Sequence, residues 1–384
     1  MLTMQPSLTI GSYTWAQDRL PSDEFGLRLD ELHAAMDRYN WPAVLVYGDV
    51  RDHAALAYVS NFIPRVRWGM ALLPRSGESR LLCAMSTRDL PAMRMLTWIS
   101  DVRSGMGLGF EKAFDPWFER WHDQSAPALG TFGFDLMAPA LLGAVRRGLG
   151  QRFTLRRADD LLPIPPRRKR PRELSMMRAS CRLLDTATKA FVDNWRQSGA
   201  PETAALAAER VARSRAAQDV RTLVSLDGGR TLVPYQGRFE KRAGPLVGYL
   251  AVKTMGYWAD AFVTIDARRL RALASAENAL DALIAAVRPG VRAAEIYAAA
   301  VGALAPLPLH PVLAGSAGHG IGLSLNEEPN FVAGADAELV DEGIYTLQVG
   351  VADATDGNAL LSAVVRNTAT GAEVLSRSPA AIPA

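Results

Sequence analysis

Between residues 173 and 377 one order of hydrophobic patterns runs through the chain twice: a pair of helix-like segments, then a group of strand-like runs. The first pair opens with "ELSMMRASCRLLDTATKAFVDNW", where Leu174, Met177, Cys181, Leu184, Phe191 and Trp195 recur at helical spacing on one face. Gly199 and Pro201 then separate it from "ETAALAAERVARSRAAQ", since glycine ends a helix well and proline begins one well. Short apolar runs follow at residues 221–226, 246–254 and 258–265. Two further helical segments, punctuated by "RPGVRAAEI", lead through a glycine-rich stretch to "IYTLQVGV" and "LLSAVVRNT". The pattern predicts two similar αβ halves around a shared sheet.

Upstream, residues 24–160 alternate helix and strand signals. "DEFGLRLDELHAAMDRYN" sets Phe25, Leu29, Leu32 and Met36 at helical spacing, and "AVLVYG", "GMALLP", "RLLCAM" and "TFGFD" are short buried-strand runs. The expected architecture is therefore α/β, with an N-terminal domain over residues 1–162 and a second domain over 163–384. The boundary falls at "PIPPRRKRPRE", a basic run among prolines. No aromatic side chains are interleaved with its charges as base stacking needs, so it reads as a solvated linker and no nucleic-acid partner is expected.

A composition of 49% hydrophobic and 22% charged residues with net charge +3 argues against disorder. Cys83 and Cys181 stand far apart in apolar surroundings and read as core thiols. With no leader-like start and no apolar run of membrane-spanning length, the expectation is a cytoplasmic protein with no membrane partner.

In order along the chain, "RPGVRAAEI", "GYWAD", "AGHGIGL" with "NEEP", and "TGAEVLS" resemble the creatinase, prolidase and aminopeptidase P group of pita-bread proteins. The N-terminal domain is similar to that of creatinase and aminopeptidase P. Peptidases of the group hold two divalent metals on two aspartates, a histidine and two glutamates. The resemblance implies that Asp260 and His319 keep two of those positions. Tyr249, Gln348 and Ser362 stand at the other three. It also implies Asn326 and Tyr235 where the peptidases carry further histidines, while Glu327 and Pro329 are retained. Two dications need several carboxylates to neutralise them. The expectation is thus no metal and no cofactor.

The resemblance implies metal-independent chemistry of the creatinase type, hydrolysis or lyase or isomerase chemistry, on a small polar C–N compound that can carry a carboxylate. His319 would be the acid–base residue, with Asp260 orienting its ring, and Glu327 and Tyr235 as further catalytic candidates. Tyr249, Lys253, Arg230, Gln348, Asn326 and Ser362 would line the substrate pocket. Arg65 or Arg67, in "NFIPRVRWGMALLP", would reach a carboxylate in the second copy of a homodimer. The alternative is a non-catalytic pita-bread module that binds a peptide or protein. A metal-dependent Xaa-Pro peptidase is the third reading. His310 and glycines 318, 320 and 322 are assigned structural roles only.

Overall fold

The computed structural model describes residues 15–106, 121, 127–159, 161, 164–234, 245–265, 271–353 and 357–379. It separates into two compact units, Met1–Pro166 and Arg167–Ala384. The boundary expected at 162/163 lies outside the described residues.

In the first unit, helix α1 (Ser22–Tyr39) buries Phe25, Leu29, Leu32 and Met36, the face its periodicity marked. Strand β1 (Ala43–Asp49) is buried along its whole length. After helix α2 (Ala54–Ser60) come β2 (Trp68–Pro74), β3 (Arg80–Cys83), β4 (Asp101–Ser104) and β5 (Ala128–Phe132). Helix α3 (Pro139–Leu149) and β6 (Thr154–Arg157) complete the unit, and the six strands form one mixed sheet in the order β4-β3-β2-β1-β5-β6. The run "TFGFD" contributes only its first two residues to β5. At Gly133 the backbone turns with φ 70°, and a Cβ there would stand 2.6 Å from the Tyr47 carbonyl oxygen.

The second unit contains α4 (Pro171–Ser198), α5 (Pro201–Ser214), β7 (Asp219–Val224), β8 (Val233–Pro234), β9 (Leu246–Thr254) and β10 (Tyr257–Ile265). Then follow α6 (Arg271–Ala286), α7 (Ala293–Leu304), β11 (Ser316–Gly320), β12 (Glu327–Val332), β13 (Ile344–Asp353), β14 (Gly357–Thr368) and β15 (Gly371–Arg377). The two αβ halves are present, but the strands form two sheets rather than one shared sheet. Their orders are β10-β9-β7-β8 and β12-β11-β13-β14-β15.

Where the sheets meet, at β10 and β14, side-chain hydroxyls replace a main-chain ladder. The Phe262 N–H donates to Ser362 Oγ (2.9 Å), the Leu360 N–H donates to Thr264 Oγ1 (2.8 Å), and the Thr264 hydroxyl donates to the Leu360 carbonyl (2.9 Å). Ser378 Oγ bonds the Phe262 carbonyl. An edge strand buried between sheets must satisfy its polar groups somehow, and these short hydroxyls do so. Helices α4 and α5 cover the first sheet, and the apolar faces of α6 and α7 pack on the second in one continuous core. Both thiols are buried, and burial pushes each of them well above the ordinary thiol range.

The basic run after Pro166 is not a solvated linker. Lys169 is buried, and its Nζ donates to Glu327 Oε2 at 2.6 Å with only 2% and 12% of the two side chains exposed. Arg167 Nη1 reaches the Glu338 carbonyl (3.4 Å), and the Arg170 N–H donates to the Glu173 carboxylate in the capping box of α4. The second unit thus anchors the run at Lys169 and Arg170, while Arg168 stays largely exposed.

Removing one partner of a buried pair strands the other. Lys169→Met should therefore cost about 3–5 kcal/mol in urea denaturation, and Lys169→Met/Glu327→Leu should recover most of that loss. Equal loss in both variants would mean that the pair does not hold the segment.

Candidate functional site

Side chains alternate across a strand and cross-strand partners share a face, so register assigns the site. Tyr249 pairs with Phe262 and Ala251 with Asp260 across β9 and β10. His319 of β11 pairs with Thr346 of β13, and Gln348 pairs with Ser362 of β14. From the outer face of the first sheet Phe191 of α4 packs against Gly248, so Tyr249, its neighbour, points the opposite way, as do Ala251 and Asp260.

Backbone proximity needs the glycines of "GHGIG". Gly318 has φ 129°, and a Cβ there would collide with the Thr346 carbonyl oxygen. At Gly320 a Cβ would lie 2.7 Å from the Glu328 oxygen. β11 therefore lies flat between β12 and β13, and the glycines place His319 opposite Thr346.

Asp260 is the hub, with 1% of its surface exposed. The Thr346 hydroxyl donates to Oδ1 at 2.7 Å, the Tyr249 phenol donates to Oδ2 at 3.1 Å, and the Gln348 amide donates to Oδ2 at 3.3 Å. The same Gln348 nitrogen lies 3.5 Å from His319 Nε2, while His319 Nδ1 is 2.9 Å from the Gly320 carbonyl. The tautomer that satisfies both contacts carries its proton on Nδ1 and a lone pair on Nε2. Asp260 therefore does not orient the ring directly. A backbone carbonyl fixes the ring, and Gln348 stands between carboxylate and imidazole.

Burial pushes the Asp260 carboxyl above its ordinary 3.8, opposed by the charge His319 can carry and by the three donors. Burial also holds the Tyr249 phenol well above 10.0, reinforced by the neighbouring Asp260 charge and opposed by Arg221. Tyr249 is therefore a phenol, and a donor, across the neutral range.

The remaining expected residues divide. Lys253 is buried with its Nζ 5.4 Å from the Trp258 ring centroid, and register puts it on the face of Asp260. Ser362 is buried, but its oxygen is engaged by the Phe262 N–H. Glu327 is not a free proton carrier, being paired with Lys169 and accepting the Ser324 N–H at 3.2 Å. Asn326 is exposed just before β12, and Arg230 is exposed in a loop whose backbone is tied to Asp227. Arg65 is half-buried and Arg67 exposed, both before β2 in the first unit, where Arg67 Nη1 meets Met106 Sδ at 3.3 Å. Tyr235 lies outside the described residues. His310 is buried, its Nδ1 accepting the Val312 N–H, and burial pulls its pKa below 6.5.

Two site residues were not anticipated. Thr346 makes the shortest of the bonds to Asp260, and its position two residues before Gln348 on one strand was the available signal. Arg221 shares the cross-strand rung of Ala251 and Asp260.

Does this set suit the dinuclear metal centre of the fold? Among the described residues no three His, Cys, Asp or Glu side chains gather as a metal would need. Asp260 already accepts three neutral donors, and an amide, a phenol and a hydroxyl stand at the other positions. The donor set does not fit two dications.

The fold defines a pita-bread domain that follows an α/β domain along the chain. The metallopeptidase family M24 model matches residues 175–369, and the chain belongs to that family. "Probable dipeptidase PepE" of Mycobacterium tuberculosis (strain H37Rv) is 35% identical over 103 residues, which is 27% of this chain and 28% of that protein. The matched stretch thus spans little more than a quarter of the length of this curated relative. Among solved structures, the prolidase from Pyrococcus horikoshii OT3 superposes with TM-score 0.74 at 16% identity, covering 92% of this chain and 99% of that one. Dipeptidase PepE from Mycobacterium ulcerans gives 0.71 at 20% identity, covering 94% and 97%. The N-terminal domain of FACT complex subunit SPT16 from Cicer arietinum gives 0.65 at 16% identity, covering 94% and 95%. Among the described residues no helix is long and apolar enough to cross a membrane.

A carboxyl whose folded pKa is raised binds its proton more tightly in the native state. Its share of stability is complete below 3.8 and falls as pH rises through the folded value. Wild type should therefore lose stability relative to Asp260→Asn above pH 3.8, with a slope of at most about 1.4 kcal/mol per pH unit. Parallel pH–stability curves for the two proteins would contradict the assignment.

Proposed function

We propose that this chain is a metal-independent enzyme of the creatinase type. It would break or rearrange a C–N bond in a small polar molecule, including carboxylate-bearing ones, and act as a homodimer. Membership of a hydrolase family supports an enzyme, and the observation that carries the metal-free reading is the capping of Asp260 by Thr346, Tyr249 and Gln348.

The chemistry follows from the positions of the protons. With Nδ1 held by the Gly320 carbonyl, His319 offers Nε2 as a base, and Gln348 marks where a substrate donor would sit. Tyr249, a persistent phenol beside Asp260, can donate to developing negative charge on a carbonyl or leaving group. Asp260 would favour a proton gained by His319 through charge, since the ring lies within electrostatic reach.

A second reading, a non-catalytic module for a peptide or protein partner, is favoured by one observation. Glu327, retained from the family pattern, is committed to Lys169 rather than to the pocket.

In a panel of small amides, ureas, amidines and N-substituted amino acids assayed with chelator present, we expect turnover of at least one compound. His319→Ala should lower kcat/KM by about 10²-fold or more, with Asp260→Asn also impaired. Turnover that survives His319→Ala rejects the proposed base. No turnover, together with stabilisation by peptides, overturns the enzyme in favour of the binding module.

A further inference from the structure

Arg221, Ala251 and Asp260 lie on one rung across β7, β9 and β10. At the spacing of neighbouring strands, the outer two are on the order of 10 Å apart at Cα, with a fully buried alanine between them. That small residue leaves a floor over which a long side chain can lie. Arg221 reaches across this face: its guanidinium carbon stands 4.7 Å from the ring centroid of Trp258, two residues before Asp260 on the same side of β10.

Stacking engages the flat face of a guanidinium and leaves its edge donors free to point outward in the plane. The side chain of Arg221 is 56% exposed, and its charged partner, Asp219 Oδ2, is 3.7 Å away, beyond hydrogen-bond reach. Among the described residues the fork donates no hydrogen bond, although its carbon lies over the Trp258 ring. Lys253 adds a second positive charge against the same ring, 5.4 Å from its centroid. Arg221 also acts electrostatically on Tyr249, which ties it to the phenol that bonds Asp260.

We propose that Arg221, lying over Trp258, is the carboxylate-binding residue of this site, holding a small organic acid by a bidentate pair so that its remaining atoms extend towards Tyr249 and Asp260. The inference deepens the reading of this face as a metal-free enzyme site and names its substrate class: small acids whose reacting C–N group lies a few bonds from the carboxylate. A planar fork matches a carboxylate in a way that an ammonium does not, so Arg221→Lys tests the geometry apart from the charge.

The probes are N-acetylglycine, its neutral amide N-acetylglycinamide, and inorganic phosphate, measured by calorimetry on the full chain. N-acetylglycine should bind at least about tenfold more tightly than the amide, and Arg221→Gln should remove that preference. Arg221→Lys should weaken acid binding while leaving the melting temperature at the wild-type value. Equal binding of acid and amide, or an unchanged preference in Arg221→Gln, overturns the proposal. So does phosphate binding more tightly than the acid and depending on Arg221. The Arg221 dependence of probe binding is read without turnover, so the enzyme reading can fail alone. Conversely, turnover lost in His319→Ala alongside wild-type probe binding in Arg221→Gln refutes only this inference.

Discussion

The carboxylate of Asp260 is the point on which both sheets of the second unit converge. It sits on β10 of the first sheet, yet two of its three donors, Thr346 and Gln348, come from β13 of the second. A buried charge is tolerated only when its lone pairs are satisfied, so this set both joins the sheets and fixes the polarity of the pocket. Ser362, Thr264 and Ser378 extend the joint along the edge of β10. Neutral side chains, Tyr249, Gln348 and Ser362, stand at the positions where the resemblance implies carboxylates in the peptidases. A site built this way has more use for anions than for cations, and the placing of Arg221 and Lys253 near the Trp258 ring agrees with that balance.

Much of the fold was legible because apolar spacing reports burial directly. The faces of α1 and α4 were read correctly residue by residue, except that Trp195 is only half-buried. Strands without an apolar pattern escaped. β11 is "SAGHG", and its strand character comes from close backbone approach to β13 rather than from side-chain alternation. The shared sheet was misread for a related reason: hydroxyls of Ser362, Thr264 and Ser378 do the work of a ladder at the junction, and no periodicity announces a hydroxyl's partner.

At the site, the motif order located Asp260, His319, Tyr249, Gln348 and Ser362, but not which atom bonds which. The expected Asp260–His319 contact is interrupted by Gln348, and Ser362 spends its oxygen on a backbone amide. Glu327 read as a spare carboxylate until Lys169, 158 residues earlier, proved to be its partner. Arg221 carried no motif at all. Only the register of three strands puts it on the rung of Asp260.

Direct measurement of metal tests the central claim, that the dinuclear centre of the family has been replaced by a hydrogen-bonded, metal-free site. Chelator-treated protein would be equilibrated with Mn²⁺, Co²⁺ or Zn²⁺, freed of excess ion and assayed for bound metal by mass spectrometry. Substoichiometric metal, with the melting temperature unmoved by the ions, is the result predicted. A pair of ions bound per chain, lost in Asp260→Asn or His319→Ala, would contradict it.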